Sequence, residues 1–285
     1  MAVVNATPDS FSADGLFADS PPNTDQIADI LAKALADGAD ILDIGAESTR
    51  PGSRAVPARE QITRLTPVFE ALQLLPSREG CADRAWCVSL DTSDAEVAEW
   101  GLKQGVQMIN DVQAGRDQEL LKMVAKYQAK IVLMHNSVVE NHLVDSESLG
   151  LSYAADTDSD IVTRVQNSLI LKAERAKSTG ILPKNILLDP GIGFGKSVAD
   201  NLRLIASCDR LVELGYPVLM GASRKSFLGK ILNLESGQRL EASLMVHGES
   251  LMGGASIIRV HDVQSHHRIR CIIEALQHPE GYDDD

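Results

Sequence analysis

The chain has 285 residues, 44% of them hydrophobic, and 27 Lys plus Arg against 40 Asp plus Glu give a formal net charge of −13. That size and apolar content suffice for one large core, so residues 1–285 read as a single domain. The acidic balance without a basic stripe argues against general nucleic-acid binding, and no run reaches transmembrane length or resembles a signal peptide.

Eight apolar, β-rich runs follow in chain order, and most end in polar or ionisable residues. Met1–Val4 ends at Asn5, and Ile41–Ile44 carries Asp43 and leads into Glu47-Ser48-Thr49-Arg50-Pro51-Gly52. Trp86–Leu90 ends at Asp91-Thr92, Val106–Ile109 at Asn110-Asp111, and Ile131–Met134 at His135-Asn136. Ile186–Leu188 ends at Asp189, Val218–Met220 leads into Ser223-Arg224-Lys225-Ser226, and Ile257–Val260 contains Arg259 and ends at His261-Asp262. Between the runs lie helical patterns. Ile27, Ile30, Leu31, Ala34 and Leu35 share one face, as do Ile269, Ile272, Ile273 and Leu276. Gly38, Gly105, Gly180, Gly215 and Gly253-Gly254 stand where helices should stop.

Strand–helix alternation implies parallel strands covered by helices. Eight units in 285 residues match the (β/α)8 TIM barrel, with a doubly wound open sheet as runner-up. Polar residues at all eight strand ends favour the barrel, whose C-terminal face is one shared site. Met1 falls inside the first strand, which favours a longer chain lacking its leader here. Pro76–Ala85 and Ser137–Asp160 read as insertions, the second a cover or an added loop beside the active face. Asp283–Asp285 reads as a frayed tail. Cys81, Cys87, Cys208 and Cys271 have neither metal-like nor redox-like spacing, which suits thiols in a reducing compartment.

The segment Ile186–Lys196 is the most informative. A buried strand ends in an acid, then a proline, then three alternating glycines that let a ligand approach the backbone. Taken with Asn5-Ala6-Thr7-Pro8-Asp9-Ser10-Phe11-Ser12, Glu47–Gly52, Ser223–Phe227 and Ile258–Asp262, it resembles the dihydropteroate synthase family. The five motifs occur in the family's order from Met1 to about Leu276.

The resemblance implies a (β/α)8 barrel and a folate-pathway transferase, the sulfonamide target. Its reaction joins 6-hydroxymethyl-7,8-dihydropterin pyrophosphate to p-aminobenzoate, giving 7,8-dihydropteroate and pyrophosphate. Asp91, Asn110, Asp189 and Lys225 then meet the pterin, whose donor-rich edge suits carboxylates and amides. Asn5, Thr49, Arg259 and His261 meet the pyrophosphate, with Asn5 a ligand of Mg²⁺. Phe11, Thr49, Arg50, Pro51, Phe194, Lys225 and Ser226 form the aminobenzoate site. Asp91, Lys225, Arg259 and His261 carry the catalytic roles. Arg224 reads either as a ligand group or as the partner of an acid on the barrel rim. The first two loops, Thr7–Gly15 and Ser48–Arg54, would close over the site.

A homodimer, a cytoplasmic location and small-molecule partners follow from the family. Fusion to other folate-pathway domains is a further expectation, and a mitochondrial location if the chain is a fragment of a eukaryotic enzyme. Two departures stand out. Phe11-Ser12-Ala13-Asp14-Gly15 places its acid one residue later than the family does. The helix after the seventh run carries His247 and Glu249 where small and apolar residues are expected. Two rival functions are a pterin-dependent methyltransferase domain and a non-catalytic pterin-binding protein. The methyltransferase has no need of the Ser223–Ser226 and Arg259–His261 groups, and only Asp14 and the missing leader point to the binding protein.

Overall fold

A computed structural model describes residues 1–6, 23–45, 56–81, 85–113, 115–137 and 160–282. Eight parallel strands are found among them, one for each apolar run: β1 Ala2–Asn5, β2 Ile41–Gly45, β3 Cys87–Asp91, β4 Met108–Asp111, β5 Lys130–Met134, β6 Ile186–Asp189, β7 Leu219–Met220 and β8 Ile257–Ile258. β1 to β6 pair in sequence order, and β7 pairs with β8. Single bridges, Leu188 to Val218 and Ala2 to Val260, join the two parts into a closed barrel. At the second seam Val3 N–H donates to the Val260 carbonyl and Val260 N–H to that of Met1, at 3.0 and 2.9 Å.

The helices are α1 Thr24–Ala36, α2 Ala58–Leu72, α3 Ala95–Lys103, α4 Gln118–Tyr127, α5 Ile161–Ser178, α6 Val198–Ala206, α7 Cys208–Val212, α8 Ser226–Leu232, α9 Leu240–Met252 and α10 Val263–Gln277. Local chemistry sets their starts. Asn23 and Gln26 form a capping box on α1, Ser197 and Asp200 one on α6, and Asp94, Asp117 and Asp160 cap α3, α4 and α5. Gly38, Gly105, Gly180, Gly215 and Gly254 all take positive φ after helices, as the sequence predicts. The apolar face of α1 buries Ile27, Leu31 and Leu35 against the sheet. Each such side chain contributes about 1.5–3 kcal/mol.

One expectation changes. α10 buries His266 and Ile273, while Ile272 and Leu276 point outward, so its apolar spacing does not mark one core-facing stripe. The segment Pro76–Ala85 is a surface excursion as expected, with Pro76, Ser77, Glu79, Gly80 and Ala85 exposed and Cys81 buried, and 82–84 lie outside the described residues. The expected Ser137–Asp160 insertion also lies mostly outside them, as does the tail at 283–285. Among the described residues no helix is long and apolar enough to cross a membrane.

Inside the barrel, Met1, Met108, Val132, Leu187 and Leu219 form a second apolar cluster, with Ile41 and Ile257 against it. It closes the N-terminal end of the barrel. The chemistry lies above it.

Candidate active site

Side chains two residues apart on a strand leave the same face. Above Ile41, Met108, Leu187 and Ile257 therefore stand Asp43, Asn110, Asp189 and Arg259, with Asp91 at the end of β3. Asp43, Asp91, Asn110 and Asp189 are buried, and Arg259 is half-buried.

Arg259 organises this layer. Its Nε donates to Asp43 Oδ2 at 2.6 Å and its Nη2 to Asp91 Oδ2 at 2.9 Å. Asn110 Nδ2 donates to the same Asp43 oxygen at 3.2 Å. One guanidinium thus serves two carboxylates. Asp43 Oδ1 and Asp91 Oδ1 are buried and have no hydrogen-bond partner among the described residues. Burial pushes the Asp91 carboxyl up to about 7, against the pull of Arg259 and with help from Asp43. Burial also raises Asp189, while Arg259 stays cationic because its two acids outweigh its desolvation.

The loop after β6 is fixed at several points. Asp189 Oδ1 accepts the Gly191 N–H at 2.6 Å, so this acid does serve the turn. Gly191 has φ +66°, and a Cβ there would lie 1.9 Å from the His135 carbonyl oxygen, so no other residue fits. Lys196 Nζ donates to the carbonyls of His135, Gly191 and Phe194 at 3.2, 2.8 and 3.2 Å. The loop then presents Phe194, whose ring centroid lies 4.3 Å from Lys225 Nζ. Burial lowers Lys225 to about 8, with Arg259 adding to the effect and Asp189 and Asp91 opposing it.

The corner after β7 holds Arg224 at φ +56°, a conformation costing a non-glycine residue about 1–2 kcal/mol. Each group of Arg224 is tied. Its N–H donates to Ser243 Oγ at 2.9 Å, and its carbonyl accepts Arg239 Nη1 at 3.1 Å. Its side chain makes a two-point pair with Asp262, through Nε at 2.9 Å and through Nη2. Arg224 therefore partners an acid on the rim, one of the two roles read from the sequence. Ser223 Oγ lies 2.9 Å from His261 Nδ1 and accepts the His261 N–H at 3.2 Å. Although His261 is exposed at the rim, desolvation by the surrounding barrel mouth lowers its pKa, as do Arg259 and Arg224.

The structure thus gathers Asp91, Asn110, Asp189, Lys225, Arg259 and His261 at one barrel mouth, with Phe194 and Ser226 on the adjoining loop and helix. Asn5, half-buried at the end of β1, pairs in register with Gly45. Phe11, Asp14, Thr49, Arg50 and Pro51 lie outside the described residues, with most of both closing loops. Two residues of the constellation are not among those predicted. Asp43 has a signal, an acid inside the apolar strand Ile41–Ile44; Ser223 has none beyond its place in the motif.

The family model described as "Pterin binding enzyme" matches residues 1–261. The dihydropteroate synthase of Synechocystis sp. is 35% identical over 282 residues, covering 97% of this chain and 89% of that protein. This chain belongs to the dihydropteroate synthase family. It is also similar in structure to the Xanthomonas albilineans enzyme solved with 4-aminobenzoic acid, at TM-score 0.80 and 37% identity, covering 97% and 92% of the two chains. The Yersinia pestis enzyme solved with a sulfonamide drug gives TM-score 0.81 at 35% identity, covering 97% and 93%. Family membership makes the chain a transferase of folate biosynthesis and agrees with the closed barrel.

Proposed function

We propose that this barrel mouth condenses 6-hydroxymethyl-7,8-dihydropterin pyrophosphate with p-aminobenzoate. The observation that carries the assignment is the pair of buried acceptors Asp43 Oδ1 and Asp91 Oδ1, which lack partners among the described residues. A buried acceptor without a donor is costly, and a pterin edge rich in N–H groups relieves that cost. Asp91, Asn110 and Asp189 receive the ring, and Lys225 stands between it and the aminobenzoate. Arg259, held flat by two acids, offers the edge of its guanidinium not used by Asp43 and Asp91, and His261 flanks it toward the pyrophosphate. Phe194 and Ser226 serve the aminobenzoate, with Phe11, Thr49, Arg50 and Pro51 completing the pocket by family resemblance.

Pyrophosphate leaves first, taking the electron pair of the carbon–oxygen bond. The pterin methylene becomes cationic, the aromatic amine attacks it with its lone pair, and the new secondary amine gives up its extra proton to solvent or to the released pyrophosphate. The carboxylates stabilise that cation and the cations stabilise the leaving group, so no protein nucleophile is needed.

Mg²⁺ fits this site in one respect. No cluster of three His, Cys, Asp or Glu exists among the described residues, so a protein-only cage is absent there. Asn5 offers a single neutral oxygen, which suits a Mg²⁺ that takes its other ligands from phosphate and water. Bound there, the ion would neutralise charge on the departing pyrophosphate.

A homodimer is supported by the outer face of α9 and α10, where Met245 and Leu276 are 69% and 68% exposed beside Met252 and Ile272. Met245→Glu should lower the mass measured by light scattering if this face joins two copies.

The deciding assay supplies both organic substrates and Mg²⁺ to purified protein. Pyrophosphate release should require both substrates together. Protein that binds the pterin yet never forms dihydropteroate would be the non-catalytic binding protein. Phe194→Leu and Ser226→Ala should raise the aminobenzoate KM and leave pterin affinity nearly unchanged.

A further inference from the structure

α9 is built inside out. Its outward side shows Met245 and Met252, while Ser243, His247 and Ser250, spaced i, i+4 and i+7, are fully buried. Two of these residues lead to the corner after β7. Ser243 Oγ accepts the Arg224 N–H. His247 Nε2 accepts the N–H of Ala222 at 3.1 Å, and its Nδ1 lies 3.0 Å from Nε2 of His266 on α10. His266 Nδ1 in turn lies 2.8 Å from the Asp262 carbonyl oxygen. The Asp262 carboxylate holds the Arg224 guanidinium. The chain of contacts leaves the corner at Ala222 and returns to it at Arg224.

The amide at one end of that chain and the carbonyl at the other fit one direction for its protons, beside the Met220 and Ser243 carbonyls that also face the two rings. An amide can only donate, so His247 Nε2 must carry a lone pair, and its hydrogen sits on Nδ1. That hydrogen faces His266 Nε2, which must then be the acceptor. The His266 hydrogen is left on Nδ1, aimed at a carbonyl that can only accept. Both rings are neutral in the Nδ1–H form. A second proton on either would set two donors against each other. Burial favours the same state, lowering His247 to about 3 and His266 in the same direction.

We propose that His247 and His266 are positioning residues for the aminobenzoate side of the site, fixing the Ala222–Arg224 corner so that Lys225 and Ser226 face Phe194. This rests on the proposed division of the barrel mouth. The corner needs such support because Arg224 is left-handed and the neighbouring strands β7 and β8 are two residues each. A leucine at position 247 would fill the space and leave the Ala222 amide without an acceptor. A glutamine keeps an acceptor that can reach it.

The test has two arms. Nitrogen-15 spectra of histidine-labelled wild-type protein should show two neutral rings protonated at Nδ1. An Nε2–H signal from either would overturn the proposal, whatever the protein catalyses. In the kinetic arm, His247→Leu should raise the aminobenzoate KM about tenfold or more, the effect of one lost buried hydrogen bond. Pterin affinity, to which Lys225 is one contact among four, should fall clearly less than the aminobenzoate KM rises, and His247→Gln should restore most of both losses. Equal loss on both substrates without rescue, or no loss in folded His247→Leu, would overturn it. If that variant does not fold, Ser243→Ala removes the other anchor of the corner and should give the same KM split. Wild-type protein that makes no dihydropteroate would defeat the functional reading, while the spectra would still decide the proton arrangement.

Discussion

The two layers inside the barrel are made by the same strands, two residues apart, yet they obey opposite rules. The lower layer of Met1, Met108, Val132, Leu187 and Leu219 is apolar and closed. The upper layer of Asp43, Asp91, Asn110, Asp189 and Arg259 is charged, and two of its buried oxygens lack partners among the described residues. The five apolar side chains of the lower layer require no polar partner, whereas two carboxylate oxygens of the upper layer do. Stability and chemistry are thus separated by about one strand repeat, or roughly 7 Å.

Removing the cation tests this division most severely. Arg259→Met leaves Asp43 and Asp91 buried without a counter-charge, which should cost about 3–5 kcal/mol of stability and abolish turnover. Denaturant unfolding at several pH values should show a smaller loss in acid, because protonated carboxyls need no counter-charge. An equal loss at every pH would mean the triad is not what the variant disturbs. In the layer below, Met108→Ala should cost about 2–5 kcal/mol by opening a cavity, with both Michaelis constants unchanged in the folded protein. A large change in pterin affinity would show that the layers are not separable.

Asp189→Asn is a subtler change. Its amide oxygen can still accept the Gly191 N–H, so the turn survives, but one charge-assisted bond to the ligand is lost. At about 1.5–3 kcal/mol, pterin affinity should fall roughly 10- to 150-fold by calorimetry. An unchanged affinity would reduce Asp189 to its turn role.

The smallest effect is on pH dependence. Asp91 has its folded pKa raised to about 7, above the value of an unfolded aspartate. The free protein therefore holds an extra proton between the two values, and its stability falls as pH rises through that window. Ligand binding has the opposite sign. A pterin donor needs the ionised carboxylate, so below pH 7 binding must expel the proton. Affinity should weaken up to about tenfold per pH unit there, with proton release detectable in buffers of different ionisation heat. A flat profile from pH 5 to 8 would mean that Asp91 is already ionised in the free site.

Much of this was legible in the sequence for local reasons. Each apolar run is a strand, and each run end lies on one face because parallel strands share a direction. Asp91, Asn110, Asp189 and Arg259 could be read because a motif follows each break in the pattern. Asp43 could not be read as the partner of Arg259, since 216 residues separate them and only barrel closure brings them together. His247 was visible as an anomaly, but its partner was not, because α10 meets α9 only in three dimensions. The face of α10 was misread for a related reason: apolar spacing marks a face without saying what covers it. Ile272 and Leu276 face outward.

The seams of the barrel have a mechanical consequence. β7 and β8 form a two-stranded piece joined to the six-stranded sheet by one bridge on each side. Such a piece would be a hinged panel, yet two of its side chains hold it to the rest. Arg259 grips Asp43 on β2 and Asp91 on β3, and Lys225 lies on Phe194. The groups proposed for the chemistry are therefore also the latch of the barrel. A ligand lying across both sides would hold the panel shut, while an empty mouth leaves the latch to one arginine and one lysine.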